Sequence, residues 1–420
     1  MRRTETVFAD NGTHTVRHYR PGRPPVGETR TWRGMCLERR TPQSSEHVFA
    51  DGTDLLLDWP TGMARPGAPV VGAVRSVLAE SAAVSGVASG PDHALDALSD
   101  RCAVTLTWAR LHQRVAVGGL RRLVTDERRM CTVEITVPGR PACSEVVRWD
   151  ETDTAGGLRE VEAATDRVRA LAALPQTDLP AVRCDLVLDP GRAGAFFHEL
   201  VGHPLEADIV AGNASCLAGL MGERVAPTWL SVADGTAPEG DGLGAVVDDE
   251  GTPVGTAELI AEGRVAGVLS DLSTAALTGT TGNGHGRRLD YRHPVVPRMW
   301  HTDARAVGVE PEPPGALRLT PRGIRLRWMN LLTGDFEFAV DTALLDTGEG
   351  PPVRVGPCAV NGNALTVLAA LRPGPSVSRS YGRATRGCGK LGQYPLVTTF
   401  ANSGMWVPAE AVDVRSDPAV

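Results

Sequence analysis

Lysine is almost missing from this chain: a single residue, Lys390, represents it among 43 basic side chains, while arginine, alanine and glycine abound. That bias reflects a GC-rich coding sequence rather than function. The arginines are interspersed with acids and the net charge is −7, which removes the basic face that a nucleic-acid partner needs. Even the patch from Arg121-Arg122 to Arg128-Arg129 reads as solvated surface. No apolar run approaches the roughly eighteen residues of a membrane span. No apolar core follows Met1-Arg2-Arg3-Thr4-Glu5, as a secretory signal would require. A cytoplasmic protein without membrane association is therefore expected. The eight cysteines, at 36, 102, 131, 143, 184, 216, 358 and 388, form no CxxC pair and no dense framework, so they read as reduced, mostly buried thiols. No internal repeat of about 20–50 residues is visible.

What is present is a globular composition, 42% hydrophobic and 22% charged over 420 residues, enough for two or three domains. Short strands are predicted over residues 13–19, 29–33 and 48–57, the last around an Asp51-Gly52 turn. Apolar residues recur at helical spacing over 70–84 and 94–98, and strands are expected at 103–108, 115–117, 132–137 and 145–148. Residues 158–174 form the longest amphipathic helix, ended by Pro175 and Pro180. These patterns predict an α+β protein with an N-terminal α/β domain over 1–180 and a β-rich catalytic domain over 181–420. Strands in the second domain are expected at 182–188, 228–232, 245–248, 258–262, 265–269, 324–328, 335–340 and 353–355, with a short helix at 362–371. The proline-rich stretch 304–318 reads as a surface connection. A β-rich domain of this kind suits a protein that holds an extended peptide as an added strand.

The chemistry concentrates in Phe196-Phe197-His198-Glu199-Leu200-Val201-Gly202-His203-Pro204-Leu205-Glu206-Ala207-Asp208. Neutral imidazoles are good zinc ligands, and a glutamate beside them can accept a proton from water. In the HExxH arrangement the second histidine follows the first by four positions, but here it follows by five. On a regular helix that moves it from about 40° to about 140° around the axis, too far for both rings to grip one ion. Gly202 and Pro204 offer the remedy: one relaxes the backbone and the other disfavours the α conformation for His203, so the helix is expected to stop or bulge just before the second ligand. Glu206 and Asp208 could be carboxylate ligands, but are expected rather as partners of an imidazole or on the surface.

The stretch from Gly191 through His203 resembles the signature of the TldD/PmbA family of zinc peptidases, which carry HExxxH. Further resemblances follow in order: Val247-Asp248-Asp249-Glu250-Gly251-Thr252-Pro253, Thr281-Gly282-Asn283-Gly284-His285-Gly286-Arg287-Arg288, Pro297-Arg298-Met299, Thr333-Gly334-Asp335-Phe336 and Gly387-Cys388-Gly389-Lys390-Leu391-Gly392-Gln393. The resemblance implies a cytoplasmic Zn2+ peptidase with His198, His203 and Cys388 as ligands and Glu199 as base. It also implies a dimer, formed by identical chains or with a zinc-free relative, acting on unfolded or short peptides. On spacing alone Cys388 would be an inert thiol. As a ligand it would add a charged, soft donor and leave a fourth position open, while Gly387 and Gly389 permit a close backbone approach.

Two residues depart from the family pattern, Pro204 in place of Gly and Leu391 in place of Asp, and the N-terminal half is short. An alternative is thus a specialised member cleaving an amide or related C–N bond of a small natural-product intermediate. A second alternative is a non-catalytic, zinc-stabilised subunit of a heterodimer, against which Glu199 argues, since a structural site needs no base. Gly282, Asn283 and Gly284 are expected to line the substrate cleft, with Arg298 and Asp335 as further cleft candidates. His285, His293 and His301, eight residues apart, do not form a ligand pattern.

Overall fold

Six strands between Thr4 and Arg148 build one antiparallel sheet in the computed structural model, which describes residues 4–41, 44–61, 63–79, 91–181, 183–238, 242–278 and 280–417. Its order is Ser45–Asp51, Arg23–Arg40, Thr4–Arg20, Thr105–Gly119, Arg122–Val137, Arg140–Arg148. The four central strands run 15 to 18 residues, far longer than the fragments expected from sequence. Polar residues such as Asn11, His14 and Gln113 interrupt the apolar alternation without interrupting the ladder.

Alternate residues of this sheet face two different layers, as the period of a strand requires. Val7, Ala9, Met35 and Leu37 meet Val70, Val74 and Val77 of the helix Ala68–Leu78, and Leu106, Val133 and Ile135 meet the helices Asp92–Cys102 and Thr154–Ala173. On the other face, Phe8, Val115 and Val117 pack on Val247 and Tyr291, and Val16, Ala109 and Met130 on Leu243, Trp300 and Val397. The C-terminal half therefore covers the face that the helices leave open.

Residues 176–416 form an eleven-stranded mixed sheet and a separate four-stranded sheet. At the centre of the larger one, Thr399–Val407 runs parallel to His301–Ala306 and antiparallel to Asp185–Leu188. The smaller sheet has the order Ile324–Met329, Asp335–Val340, Cys358–Asn363, Val412–Ser416, with Ile324–Met329 at its edge. Between them lies the main core, where Phe196 sets its ring 5.7 Å from Phe336 and 5.1 Å from Phe338. This aromatic cluster anchors the start of the motif helix. The whole is α+β and rich in strand, as expected.

Several local expectations are corrected. Only Ser45–Asp51 is strand within 48–57, because the chain turns at Gly52 and Asp54–Leu57 is helical. The segment 245–248 is no strand but a tight turn, in which the Asp248 carboxylate accepts the N–H groups of Glu250, Thr252 and Gly286. Only Arg264–Val265 of 265–269 pairs as strand, and Ala304, expected in a surface connection, is fully buried in His301–Ala306. The expected helix over 70–84 is Ala68–Leu78, its remainder from 80 lying outside the described residues, as does Val182 at the head of the strand Asp185–Leu188. Arg128, expected on the surface, is buried: its guanidinium donates to Asp249 at 2.6 Å and to the Val247 carbonyl at 2.8 Å. Among the described residues no helix is long and apolar enough to cross a membrane.

Candidate metal centre

The motif begins as an α-helix, Gly194–Phe197, widens into a π turn, His198–Gly202, and ends in a 3-10 turn, His203–Leu205. The N–H of His203 donates to the carbonyl of His198, an i to i+5 bond. One extra residue per turn brings positions i and i+5 onto one face, so the two rings lie 5.0 Å apart between centroids. The spacing problem is thus solved by a bulge just before the second histidine, as expected, but His203 does not leave the helical conformation. His203 keeps helical angles, φ −60° and ψ −44°, despite the following proline, and Gly202 is helical too. Pro204 has no N–H to give and its ring would press on the carbonyl a turn back; the wider turn relieves that clash. Gly202 matters for its missing side chain, since a Cβ would stand 3.1 Å from the Met299 sulfur.

Cys388 arrives from 185 residues away on the short strand Cys388–Lys390, its Sγ 2.9 Å from His203 Nε2. Gly387 lets this strand close in, because a Cβ there would fall 2.0 Å from the Leu396 carbonyl oxygen. One donor atom each from His198, His203 and Cys388 lies within 4.8 Å of the others. Two imidazole nitrogens and a thiolate are a donor set for a borderline-soft divalent metal, not for magnesium or calcium, and three protein donors leave a coordination position open. The residues present fit such an ion. Glu199, between the two histidines, places Oε2 3.7 Å from His203 Nε2.

Electrostatics prepare the donors. Burial pushes the Cys388 thiol up, but His203 and His198 beside it outweigh burial and hold it well below its ordinary value. Burial likewise pushes the His203 imidazole down, yet Cys388 and Glu206 hold it well above its own. The two shifts favour the charged form of each partner. Glu199 moves the other way: burial raises it, against the pull of His203 and His198.

A layer of partners fixes each ring. His203 Nδ1 donates to Glu206 at 3.2 Å, leaving Nε2 for a metal. Glu206 is held in turn by Lys390 at 2.9 Å, and the same ammonium reaches Asp208 at 2.7 Å. The chain's one lysine is thus half-buried and paired beside the site. His198 Nδ1 lies 3.4 Å from the Thr302 hydroxyl, which donates to Asp234 at 2.7 Å, and His285 Nε2 stands 3.2 Å from Asp234. Sequence reasoning missed Asp234, Thr302 and Lys390, for which no local signal exists, and Glu206 carried only its three-residue offset from His203.

The other residues expected at the cleft lie elsewhere. Gly282, Asn283 and Gly284 do not line the cavity over Glu199. Asn283 accepts from the Ser270 N–H and donates to the Val268 carbonyl, while Gly284, at φ +82°, leaves no room for a Cβ beside Pro253. These residues brace a turn. Asp335 bonds Thr333 and Asn363 away from that cavity, and Arg298 is fully buried 3.9 Å from Glu206.

Burial opposes the charge on Glu206, but His203, Lys390 and Arg298 more than compensate and hold it at about 2 against an ordinary 4.5. A depressed carboxylate contributes stability above pH 4.5 that is lost as pH falls toward 2. In metal-free protein this loss is expected to amount to about 3 kcal/mol, shared with His203. Urea unfolding at pH 5.5 and pH 3 should show about 2 kcal/mol of it, and Glu206→Gln should flatten it; an equal slope in the variant would mean that Glu206 is not the titrating group.

The geometry sets a carboxylate beside three side chains that could hold a metal ion. Residues 181–383 match the model of the PmbA/TldA metallopeptidase C-terminal domain. This stretch, a little under half of the chain, is similar to the TldD/PmbA family. The chain is 38% identical over 149 residues to the metalloprotease TldD homolog of Haemophilus influenzae, covering 35% of this chain and 31% of that protein. To a metalloprotease of Methanocaldococcus jannaschii it is 31% identical over 231 residues, covering 54% and 50%. The chain thus spans between a third and a half of the length of these relatives. The fold matches that of TldE from Thermococcus kodakarensis over 98% of this chain and 96% of that one, at a TM-score of 0.64 and 15% identity.

Proposed function

We propose that the chain is the zinc-bearing subunit of a peptidase that hydrolyses amide bonds in unfolded or short peptides. The observation that carries this reading is the π turn that sets His198 and His203 side by side, with Cys388 against them and Glu199 between. In this reading His198, His203 and Cys388 hold Zn2+, which when bound supplies a Lewis acid and lowers the pKa of water to about 7. Glu199 accepts the proton of the attacking water and passes it to the leaving amine, a shuttle favoured by a carboxylate raised by burial. The edge strand Ile324–Met329, whose residues Ile324, Arg325 and Leu326 line the cavity, offers its free backbone groups to an extended peptide. Assembly into a dimer, with an identical chain or a zinc-free relative, belongs to the same reading. So does a reducing, cytoplasmic setting, which eight free cysteines suit.

Cys388→Ser tests the ligand set. Zinc content and cleavage of a peptide mixture should fall together, zinc affinity by about tenfold or more, while Cys358→Ser, in the core, should spare both. Cobalt-substituted protein should show a thiolate charge-transfer band that Cys388→Ser abolishes. A band that survives the substitution would remove Cys388 from the site, and zinc at one per chain without cleavage of any peptide would favour a structural role.

A further inference from the structure

The cavity over Glu199, about 350 Å³, is lined by five arginines: Arg192, Arg322, Arg325, Arg383 and Arg386. Its only carboxylates among the described residues are Glu145, Asp341 and Glu199. Three of the guanidiniums are engaged at close range. Arg192 lies 3.1 Å from Glu145, Arg322 3.0 Å from Asp189, and Arg383 2.7 Å from Glu134. Arg325 is looser: it meets Asp341 at 3.4 Å, both side chains more than two-fifths exposed, an arrangement that contributes little and is easily exchanged. Arg386 makes no ion pair and no side-chain hydrogen bond among the described residues, and it stands two positions before Cys388.

Four of the five guanidiniums thus have a carboxylate partner, and Arg386, exposed next to the metal donors, is the one lining arginine without one among the described residues. A neutral peptide seated here could offer the Arg386 guanidinium only neutral carbonyl acceptors in place of water. A carboxylate would form a charge-assisted, two-pronged pair with it. We infer that the substrate is an anionic peptide, with a carboxylate read by Arg386 and secondarily by Arg325, close to the bond that is cut. The inference rests on the peptidase reading for its chemistry, but not for its binding. The carboxylate can come from an acidic side chain or from the chain's C-terminus, and the two make different predictions.

The probes are four N-acetylated hexapeptides that combine a central Glu or Gln with a free or amidated C-terminus. They are titrated by calorimetry into zinc-loaded Glu199→Gln protein, which should bind without cutting. At least one anionic peptide should bind about tenfold or more tightly than the Gln, amidated one. Tight binding that follows Glu assigns an acidic side chain; tight binding that follows the free terminus assigns the C-terminus. Arg386→Ser in the same background, with zinc content as the check on folding, should bring the ratio close to one. Arg372→Ser, outside the cavity, should leave it in place. Equal binding of all four, binding of none, or a ratio that survives Arg386→Ser would overturn the inference. Cleavage by the unsubstituted protein is scored separately. A binding preference without any cleavage sinks the peptidase reading and leaves the anionic subsite, and cleavage without preference does the reverse.

Discussion

Glu199→Gln is expected to keep zinc at one per chain and to lower turnover of a cleaved peptide by about 10³-fold. The substitution preserves size and hydrogen-bonding shape, so the π turn and the two rings should not move. What it removes is the ability to take a proton. Glu199 is suited to that task because the turn holds its carboxylate 3.7 Å from His203 Nε2 while a fifth of the side chain stays open to the cavity. Burial raises it above the ordinary carboxylate value, nearer the pH at which accepting a proton from water and returning it to an amine are both feasible. Metal analysis and steady-state kinetics on one preparation decide the point. Turnover within a few-fold of the parent, with zinc retained, would assign the base to another group.

Arg128→Ala should be the most destabilising single change at the contact between the two halves of the chain, by about 3–5 kcal/mol. The guanidinium is 2% exposed, reaches Asp249 and the Val247 carbonyl from the N-terminal sheet, and lies over the Trp300 ring at 4.8 Å. Removing it leaves Asp249 and Asp126 buried without their cation, and opens a void against Trp300. The effect should extend to the metal site, because the backbone N–H of Trp300 donates to Asp234 at 2.7 Å, and Asp234 holds Thr302 against His198. Equilibrium urea unfolding measures the loss. Pairing Arg128→Met with Asp249→Asn should recover part of it, since the penalty comes from the unpaired charge rather than from the missing bond. A single variant within 1 kcal/mol of the parent would show that water reaches these acids.

The amino-acid order by itself determined the chemistry that lies within one turn of chain. His198, Glu199 and His203 could be read as two metal donors and a base because residue type and short spacing carry that information, and the strand-rich α+β class followed from patterns equally local. The bulge was foreseeable from five positions, where a regular helix allows four. Its form was not, since a π turn that keeps His203 helical is chosen by the packing of Phe196, Phe197 and Met299 around it. Thr399–Val407, the strand at the centre of the large sheet, escaped notice because Asn402, Ser403 and Gly404 break its apolar pattern. Their burial is tolerable only once Asn402 donates to the Asp189 and Ser403 carbonyls. Arg128 looked like surface because charge usually is, until Asp249, 121 residues away, supplied a buried counter-charge. Cys388 and Thr302 reach the histidines, and Lys390 reaches Glu206, for the same reason. A contact across a hundred residues or more has no local period or spacing to betray it, and only the closing of one sheet on another decides which side chains share a site.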